Sequence, residues 1–488
     1  MSSFDEIRNN RIQKVEALKK SGISAYPVNS VRDHSLAEAV ADFAEISGGA
    51  KSVHLCGRIM SLRPQGALVF FTLDDGTGRF QGLIKKGELD EKQYELFATM
   101  TDIGDFIEVY GPLFTTTRGE KSIQVLEWKM LAKSLRPLPE KWHGLQDADE
   151  RFRKRYLDTL MSPEVKARFL MRSRIIAELR SHFDKNDFLE VETPMLQPLS
   201  GGASAEPFVT HHNALDMDLF LRIAPELYLK KLLIGGFSKV YEINRNFRNE
   251  GIDMTHNPEF TMLEFYESFS NASEQMIFTE KMLKGIVKKL LGKTSFEFDG
   301  QAVDFKKKFT TISYSDLLKR YALVSNPETI SLPDARAKAM QLGVKVDPTD
   351  PAQKIIDNIY KKTCRPKITA PTFVIDYPTA NFPLAKKKEG NDAIAEVFQL
   401  VVCGIELVKG FSELNDPLDQ RARFEAQEEN KKQGDAEAQT TDEEFIEAME
   451  YGMPPAGGVG IGIDRLVMLL TNTKNIKEVI LFPTMRNK

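Results

Sequence analysis

The chain has 488 residues, 42% hydrophobic and 28% charged, with a formal net charge of −4, a length that provides for about two to four domains with ample core. The slightly acidic balance excludes nucleic-acid binding by the whole surface, so any such contact has to come from local basic patches. Cys56, Cys364 and Cys403, far apart and in no CxxC spacing, argue against a disulfide scaffold or a zinc site; with no apolar leader and no run approaching the roughly 18 residues of a membrane span, a soluble cytoplasmic protein without a membrane partner is expected.

Residues 1–50 form an N-terminal basic extension in which RIQKVEALKKSG reads as an amphipathic helix ended by Gly22. Its pattern suits a solvated helix as well as one facing RNA. Residues 51–133 carry five short alternating segments, HLCGRIMSL, LVFFTLDD, GRFQGLI, DFIEVYGPLF and SIQVLEWKML, with a helix between the third and fourth, which predicts an OB-fold β-barrel. In it, Phe70 offers a stacking platform and Arg58 and Gln81 offer hydrogen bonds, although pattern alone makes Phe70 core and the other two surface. Prolines 137 and 139 and the charged DADERFRKRYLD mark residues 134–160 as a linker. Residues 161–488 are one large α/β body with a helical insertion at about 270–370 and a charged run, RARFEAQEENKKQGDAEAQTTDEEF, expected to be a solvated helical hairpin.

Within that body, KVYEINRNFR reads as a strand, NEGIDMTHN as a loop turning at Gly251, and EFTMLEFYES as the returning strand. Alternation puts Phe260, Met262, Glu264 and Tyr266 on one face and Thr261, Leu263 and Phe265 on the other, the second set being core. Arg248 and Glu250 share a face of the outgoing strand. Such a wall of aromatic ring, carboxylate, phenol and guanidinium could hold a base, a phosphate and a cation; the bland alternative is a salt-bridged surface hairpin. Near the C-terminus, GGVGIGIDR is a glycine-rich strand running into the apolar LVMLL. Glycines permit close approach, and an arginine opposed by the dipole of the helix it opens is better explained by an anion.

Joined, the hairpin and the glycine strand resemble motifs 2 and 3 of the class II aminoacyl-tRNA synthetases. The segments SGGASAEPF, APELYLKKL, FSELNDP and ILFPTMR extend the resemblance to the bacterial-type lysyl-tRNA synthetase branch over nearly the whole chain. The resemblance implies an α/β multidomain fold, with the OB-fold barrel preceding a catalytic domain built on an antiparallel sheet flanked by helices. It also implies a homodimer paired through SRIIAELRSHFDKNDFLEVETPML, ATP as substrate, magnesium as cofactor, and L-lysine and lysine tRNA as partners. Arg248 would bridge the substrate carboxylate and the α-phosphate, and Arg465 would reach the γ-phosphate and cover the adenine against Phe260. Glu250, His256 and Asn257 would line the ATP loop, and Glu406 would bind magnesium. Glu264, Tyr266 and Glu413 would hold the lysine ammonium, Glu226 and Gly202 the α-amino group, with Lys409 and Phe411 beside them. Arg58, Phe70, Gln81 and Glu127 would meet the anticodon.

Three positions depart from the family pattern: Gln399 stands where a second metal-binding glutamate is usual, Lys409 where asparagine is usual, and Phe382 where serine is usual. Strand parity also sets Glu406 opposite to Lys409, Phe411 and Glu413, which a bulge near Gly404 or Gly410 would reconcile. Two alternatives to a lysine–tRNA ligase follow from the same residues: a paralogue that lysylates a protein, and a catalytically dead RNA-binding homologue.

Overall fold

The computed structural model describes residues 4–49, 51–139, 145–348, 350–432 and 440–487. They divide into two compact units, 1–145 and 146–488. Residues 140–144 of the expected linker and 433–439 of the charged run lie outside the described residues.

In the first unit the strand Ser52–Gln65 pairs with both Leu68–Asp74 and Phe106–Thr115, so the sheet closes on itself. Its inner residues alternate strictly, Val69, Phe71 and Leu73 being buried between outward-facing neighbours. The helix Glu91–Met100 lies between the third and fourth strands. The last expected strand is split into Lys121–Gln124 and Glu127–Ala132. At the break the chain changes partners: Val125 N donates to Leu83 O, and Leu126 N to Tyr110 O. Gly111 permits the crossing, since a Cβ there would lie 1.8 Å from the Gln124 carbonyl oxygen. The helix Phe4–Lys20 packs Leu18 into the barrel core and commits two of its five cations to protein, Arg11 donating to the carbonyls of Ser134 (2.9 Å) and Arg136 (3.1 Å) and Lys14 pairing with Asp102 at 2.9 Å, while Arg8, Lys19 and Lys20 are exposed.

The second unit is built on a mixed, mostly antiparallel sheet. Its strands run in the order Thr310–Ser313, Thr372–Pro378, Asn391–Val402, Ile405–Ser412, Ala456–Gly462, Glu259–Ser268, Lys239–Phe247 and Leu189–Glu190, with only the outermost pair at each end parallel. One face packs on the helices Pro163–Asp184, Ala272–Leu291 and Ile463–Leu470 around Phe183, Phe265, Leu466 and Ile461. A second core forms around the inserted helices Tyr314–Ala322, Leu332–Gln341 and Ala352–Ile359. DADERFRKRYLD forms two short helices, Ala148–Arg153 and Arg155–Met161, and the fully buried Arg155 donates to the carbonyls of Lys477 (2.7 Å) and Leu481 (3.1 Å). The helices Pro417–Lys432 and Glu443–Glu450 are less solvated than their charge suggests, because Phe424, Phe445, Ile446 and Met449 are buried in the second core. No helix among the described residues is long and apolar enough to cross a membrane.

Candidate active site

The hairpin strands Lys239–Phe247 and Glu259–Ser268 pair in unbroken register, and Leu263 and Phe265 point into the core as their alternation requires. The turn does not depend on Gly251, whose φ is not positive. Asp253 makes it, its Oδ1 accepting from Thr255 N (2.6 Å) and His256 N (2.8 Å). Arg245 and Glu259 form a half-exposed pair at 3.3 Å, a surface salt bridge of the bland kind. The opposite face is a different matter.

Register carries that face across four strands. Glu264 pairs with Gly460 and Tyr266 with Gly458; Gly460 in turn pairs with Lys409, Gly458 with Phe411, and Lys409 with Gln399. The glycine strand therefore presents no side chain to this cleft. At Gly458 none is tolerated: a Cβ would meet Glu413 Oε1 at 2.0 Å and Tyr266 Cε1 at 2.4 Å. The bulge that parity demands is present, and it falls at Leu407, between the two glycines named from sequence: Leu400 pairs with Val408 and Val401 with Glu406. It brings Glu406 onto the face of Lys409.

The inner end of the cleft is acidic and closed. Glu226, Glu264, Glu413 and Tyr266 are all buried, with the Tyr266 hydroxyl donating to Glu264 Oε2 at 3.3 Å. Burial, reinforced by Glu226 and opposed by Arg248 and the Tyr266 hydroxyl, pushes the Glu264 carboxyl up to about 8. Glu413 also rises to about 8, through burial and the nearby Glu226 and Glu264, against the pull of Lys230. Sequence reading missed Lys230. Its fully buried ammonium lies 2.7 Å from Glu226 Oε1 and 2.5 Å from Glu413 Oε2, and over Phe411 at 5.4 Å. Burial disfavours that charge, but the two carboxylates outweigh it and hold the pKa above its ordinary value. The helical spacing of Glu226 and Lys230 in APELYLKKL was the available signal. Gly202 adopts φ +86° directly beside Glu226, where a Cβ would come within 3.1 Å of that residue's own.

The outer end is cationic. Arg248 follows the strand end, its guanidinium 5.0 Å from the Phe260 ring centroid. Arg465 donates to the Glu406 carbonyl (2.9 Å) and approaches His256 Nε2 at 3.0 Å, while His256 Nδ1 lies 2.9 Å from Asp253. For Nε2 to accept from Arg465, the Nδ1 side of the ring, facing Asp253, must carry the proton. Burial lowers the Arg465 pKa, with Arg365 and Arg248 adding to it against Glu406. Burial would raise the Glu406 carboxyl, yet Arg365, Arg465, Lys409 and Lys361 together bring it below its usual value. Asn257 is buried and donates to Glu259 O at 2.6 Å, whereas Glu250 is exposed.

The three departures noted in the sequence are neighbours. Lys409 Nζ sits 4.6 Å from the Phe382 ring centroid, and Gln399 lies opposite Lys409 in register with its Oε1 accepting from the Tyr377 hydroxyl at 2.8 Å. Solvent reaches Lys409, but crowding by surrounding protein lowers its pKa, with Arg248 and Lys361 adding and Glu406 and Glu226 opposing. These residues do not fit a magnesium ion held by the protein alone. Glu406 is already 3.4 Å from Arg365, Gln399 is neutral, and no group of three or more acidic, histidine or cysteine side chains is placed for a metal among the described residues.

On the barrel, Arg58, Phe70 and Gln81 share the outward face, as the pairings of Arg58 with Asp74 and of Thr72 with Gln81 require. Arg58 is partly committed, stacking 4.2 Å over Phe106 and donating to Gly104 O at 3.1 Å; Gln81 donates to Ser122 at 2.8 Å. Phe70 is half-buried, and Glu127 is exposed on a strand that, among the described residues, pairs only with Phe106–Thr115.

Family models match both units: the class II tRNA synthetases (D, K and N) over residues 147–486, and the OB-fold nucleic acid binding domain over residues 53–131. The chain is 46% identical over 485 residues to the lysine–tRNA ligase of Pelotomaculum thermopropionicum, covering 99% of this chain and 95% of that protein. It is 47% identical over 478 residues to that of Moorella thermoacetica, covering 98% and 97%. It is 46% identical over 483 residues to that of Carboxydothermus hydrogenoformans, covering 99% and 98%. With the large sheet lying in the span that the synthetase model matches and the barrel in the span that the OB-fold model matches, the chain belongs to the class II tRNA synthetases (D, K and N).

Proposed function

We infer that the chain is a lysine–tRNA ligase, which activates L-lysine with ATP and transfers it to the 3′ end of lysine tRNA. The observation that carries this reading is the polarity of the cleft: a closed acidic end of Glu226, Glu264 and Glu413 beneath a cationic end of Arg248, Arg465 and Lys409. A substrate with an ammonium at its tip and a carboxylate to be joined to phosphate fits that polarity. An acidic side chain would meet like charge at the closed end.

The attacking carboxylate is ionised at neutral pH, so the reaction needs no general base. The protein supplies alignment and charge stabilisation. In this reading Arg248 bridges the lysine carboxylate and the α-phosphate; a carboxylate oxygen bonds to phosphorus as the bond to pyrophosphate breaks. Arg465 takes the γ-phosphate, and Phe260 stacks the adenine with Glu250, His256 and Asn257 along the loop. Glu226 and the Gly202 backbone hold the α-amino group, and Tyr266 and Phe411 wall the side-chain pocket. Magnesium, expected from the family, finds only Glu406 as an anionic partner beside Gln399. On the barrel, Phe70 stacks an anticodon base while Arg58, Gln81 and Glu127 supply polar contacts. The work of such a ligase places it in the cytoplasm. A homodimer is supported by the exposed apolar side chains Leu170, Leu189, Met195 and Leu196 and by a groove lined by Ser173, Ile176 and Ala177 along Pro163–Asp184.

ATP–pyrophosphate exchange with each of the twenty amino acids, followed by aminoacylation of total tRNA, tests the reading. Lysine-dependent exchange and lysyl-tRNA are expected. Exchange without charging of tRNA would point to a paralogue that modifies protein, and exchange with no amino acid to a dead core.

A further inference from the structure

Three carboxylates and one ammonium share the closed end of the cleft, and all four residues are buried. Lys230 joins two of the acids, Glu226 at 2.7 Å and Glu413 at 2.5 Å; the third, Glu264, is bonded to Tyr266. Lys230 cannot leave, because its side chain has no exposure and its helix, Glu226–Ile234, packs Leu229 and Leu233 against Val240 and Tyr266. Counted as ionised groups, the end carries three negative charges and one positive charge.

We propose that Lys230 is a specificity-determining residue: by cancelling one of the three carboxylates it leaves two negative charges, the complement of an amino acid bearing two ammonium groups. The proposal rests on the lysine–tRNA ligase reading. A net charge of three would demand another cation or a retained proton, and a net charge of one would leave one substrate ammonium unmatched in a dry pocket. Two further charges act on Glu264 from outside this end, Arg248 drawing its carboxyl down and Glu242 raising it. Glu242 is paired with Arg222 at 2.6 Å, and Arg248 and Lys409 belong to the outer end that receives the substrate carboxylate and phosphate.

The consequence is a proton linkage. Without substrate, burial and the nearby Glu226 push the Glu264 carboxyl, bonded to the Tyr266 hydroxyl, up to about 8, and Glu413 rises with it against the pull of Lys230; a diamino acid requires both as anions, so its binding releases protons to solvent. Calorimetric titration of the full-length protein with L-lysine at pH 7, in phosphate and in Tris, measures that release, and about one proton or more per lysine is expected. Lysine affinity should rise between pH 6 and 8, and L-norleucine, which lacks the terminal ammonium, should show a shallower rise. Lys230→Met removes the internal cation, so both acids hold their protons more firmly; lysine should bind about tenfold or more weakly at pH 7, with its pH profile displaced upward. Lys230→Arg keeps the charge and should keep the profile. The idea is overturned if the wild-type protein releases no proton on binding lysine, or if Lys230→Met binds lysine with an unchanged pH profile. Should Lys230→Met fail to fold, the wild-type proton count and the Lys230→Arg profile decide. Absence of any lysine-dependent pyrophosphate exchange in the wild type would sink the ligase reading itself, whereas exchange without proton release sinks only the charge count.

Discussion

Arg465 opens the helix Ile463–Leu470, where the dipole opposes a cation, and its protein partners are a carbonyl and a histidine nitrogen. Arg248, at the hairpin end, lies over Phe260. Neither contributes to the apolar core, so each is expected to be replaceable by alanine without unfolding. Adenylate formation should fall by about 3–4 kcal/mol in the transition state, read as lost pyrophosphate exchange with an unchanged thermal melt. Near-normal exchange in either variant removes its assigned role. Gly458→Ala probes the other end, since the new methyl would overlap the Glu413 carboxylate; overpacking of about 1–3 kcal/mol should appear in the KM for lysine and not in that for ATP. For the Lys409 cluster, Gln399→Glu with Lys409→Asn exchanges a fixed cation for an added anion. Adenylate formation in that double variant should depend more steeply on magnesium, and magnesium should bind it more tightly by calorimetry. Identical curves would mean that Lys409 carries none of the phosphate or carboxylate charge.

Between elements, a small polar lock sets the sheet against its helices. Asp464 accepts from Thr261 N at 2.7 Å and lies 2.5 Å from Arg172, which also donates to the Thr261 hydroxyl at 3.0 Å. One carboxylate thus ties the glycine-strand helix, the returning hairpin strand and the helix Pro163–Asp184, and fixes the helix on which Arg465 stands. Removing one partner of such a buried pair costs about 3–5 kcal/mol, so Asp464→Asn should lower the melting temperature and weaken exchange together. A weakened exchange with an unshifted melt would mean that Asp464 acts on the chemistry and not through the scaffold. In the barrel, Phe70→Ala should reduce tRNA charging by the roughly 1–3 kcal/mol of a stacked base and leave lysine activation intact. Parallel loss of both would make Phe70 a packing residue.

For the molecule as a whole, the buried acids predict an inverted pH response. Glu264 and Glu413 have folded-state values raised to about 8, so the folded protein binds more protons than the unfolded chain between their ordinary range and that value. Their contribution to stability is therefore present at low pH and lost as pH rises through about 8. Lysine restores it by supplying the counter-charge. Thermal melts at pH 6 and pH 8.5, with and without lysine, should show a larger stabilising increment at the higher pH; an increment independent of pH would contradict the placement of these acids against the ligand. Sedimentation should give a dimer, and charge replacement at Leu189 and Met195 should shift it toward the monomer.

Local rules carried much of this molecule. Strand alternation, the hairpin's two faces and the glycine run depend on neighbours along the chain, and residues 260–266 and 458–462 follow them. Arg248, Glu264 and Arg465 stood out in the sequence because charged side chains are unusual at those places in a strand or at a helix start, whereas Glu413 came only from the family resemblance. Tertiary structure decided what parity and spacing could not. The bulge at Leu407 turns Glu406 to the cleft, and Val125 and Leu126 exchange partners to close the barrel. Lys230 meets Glu413 from a chain distance that no local pattern spans, and Phe382, Gln399 and Lys409 become one cluster only when their strands and loop come together. Alternation along a chain sets which way a side chain points, but a charge's worth depends on which other charges share its low-dielectric surroundings, and only the packed fold brings those together.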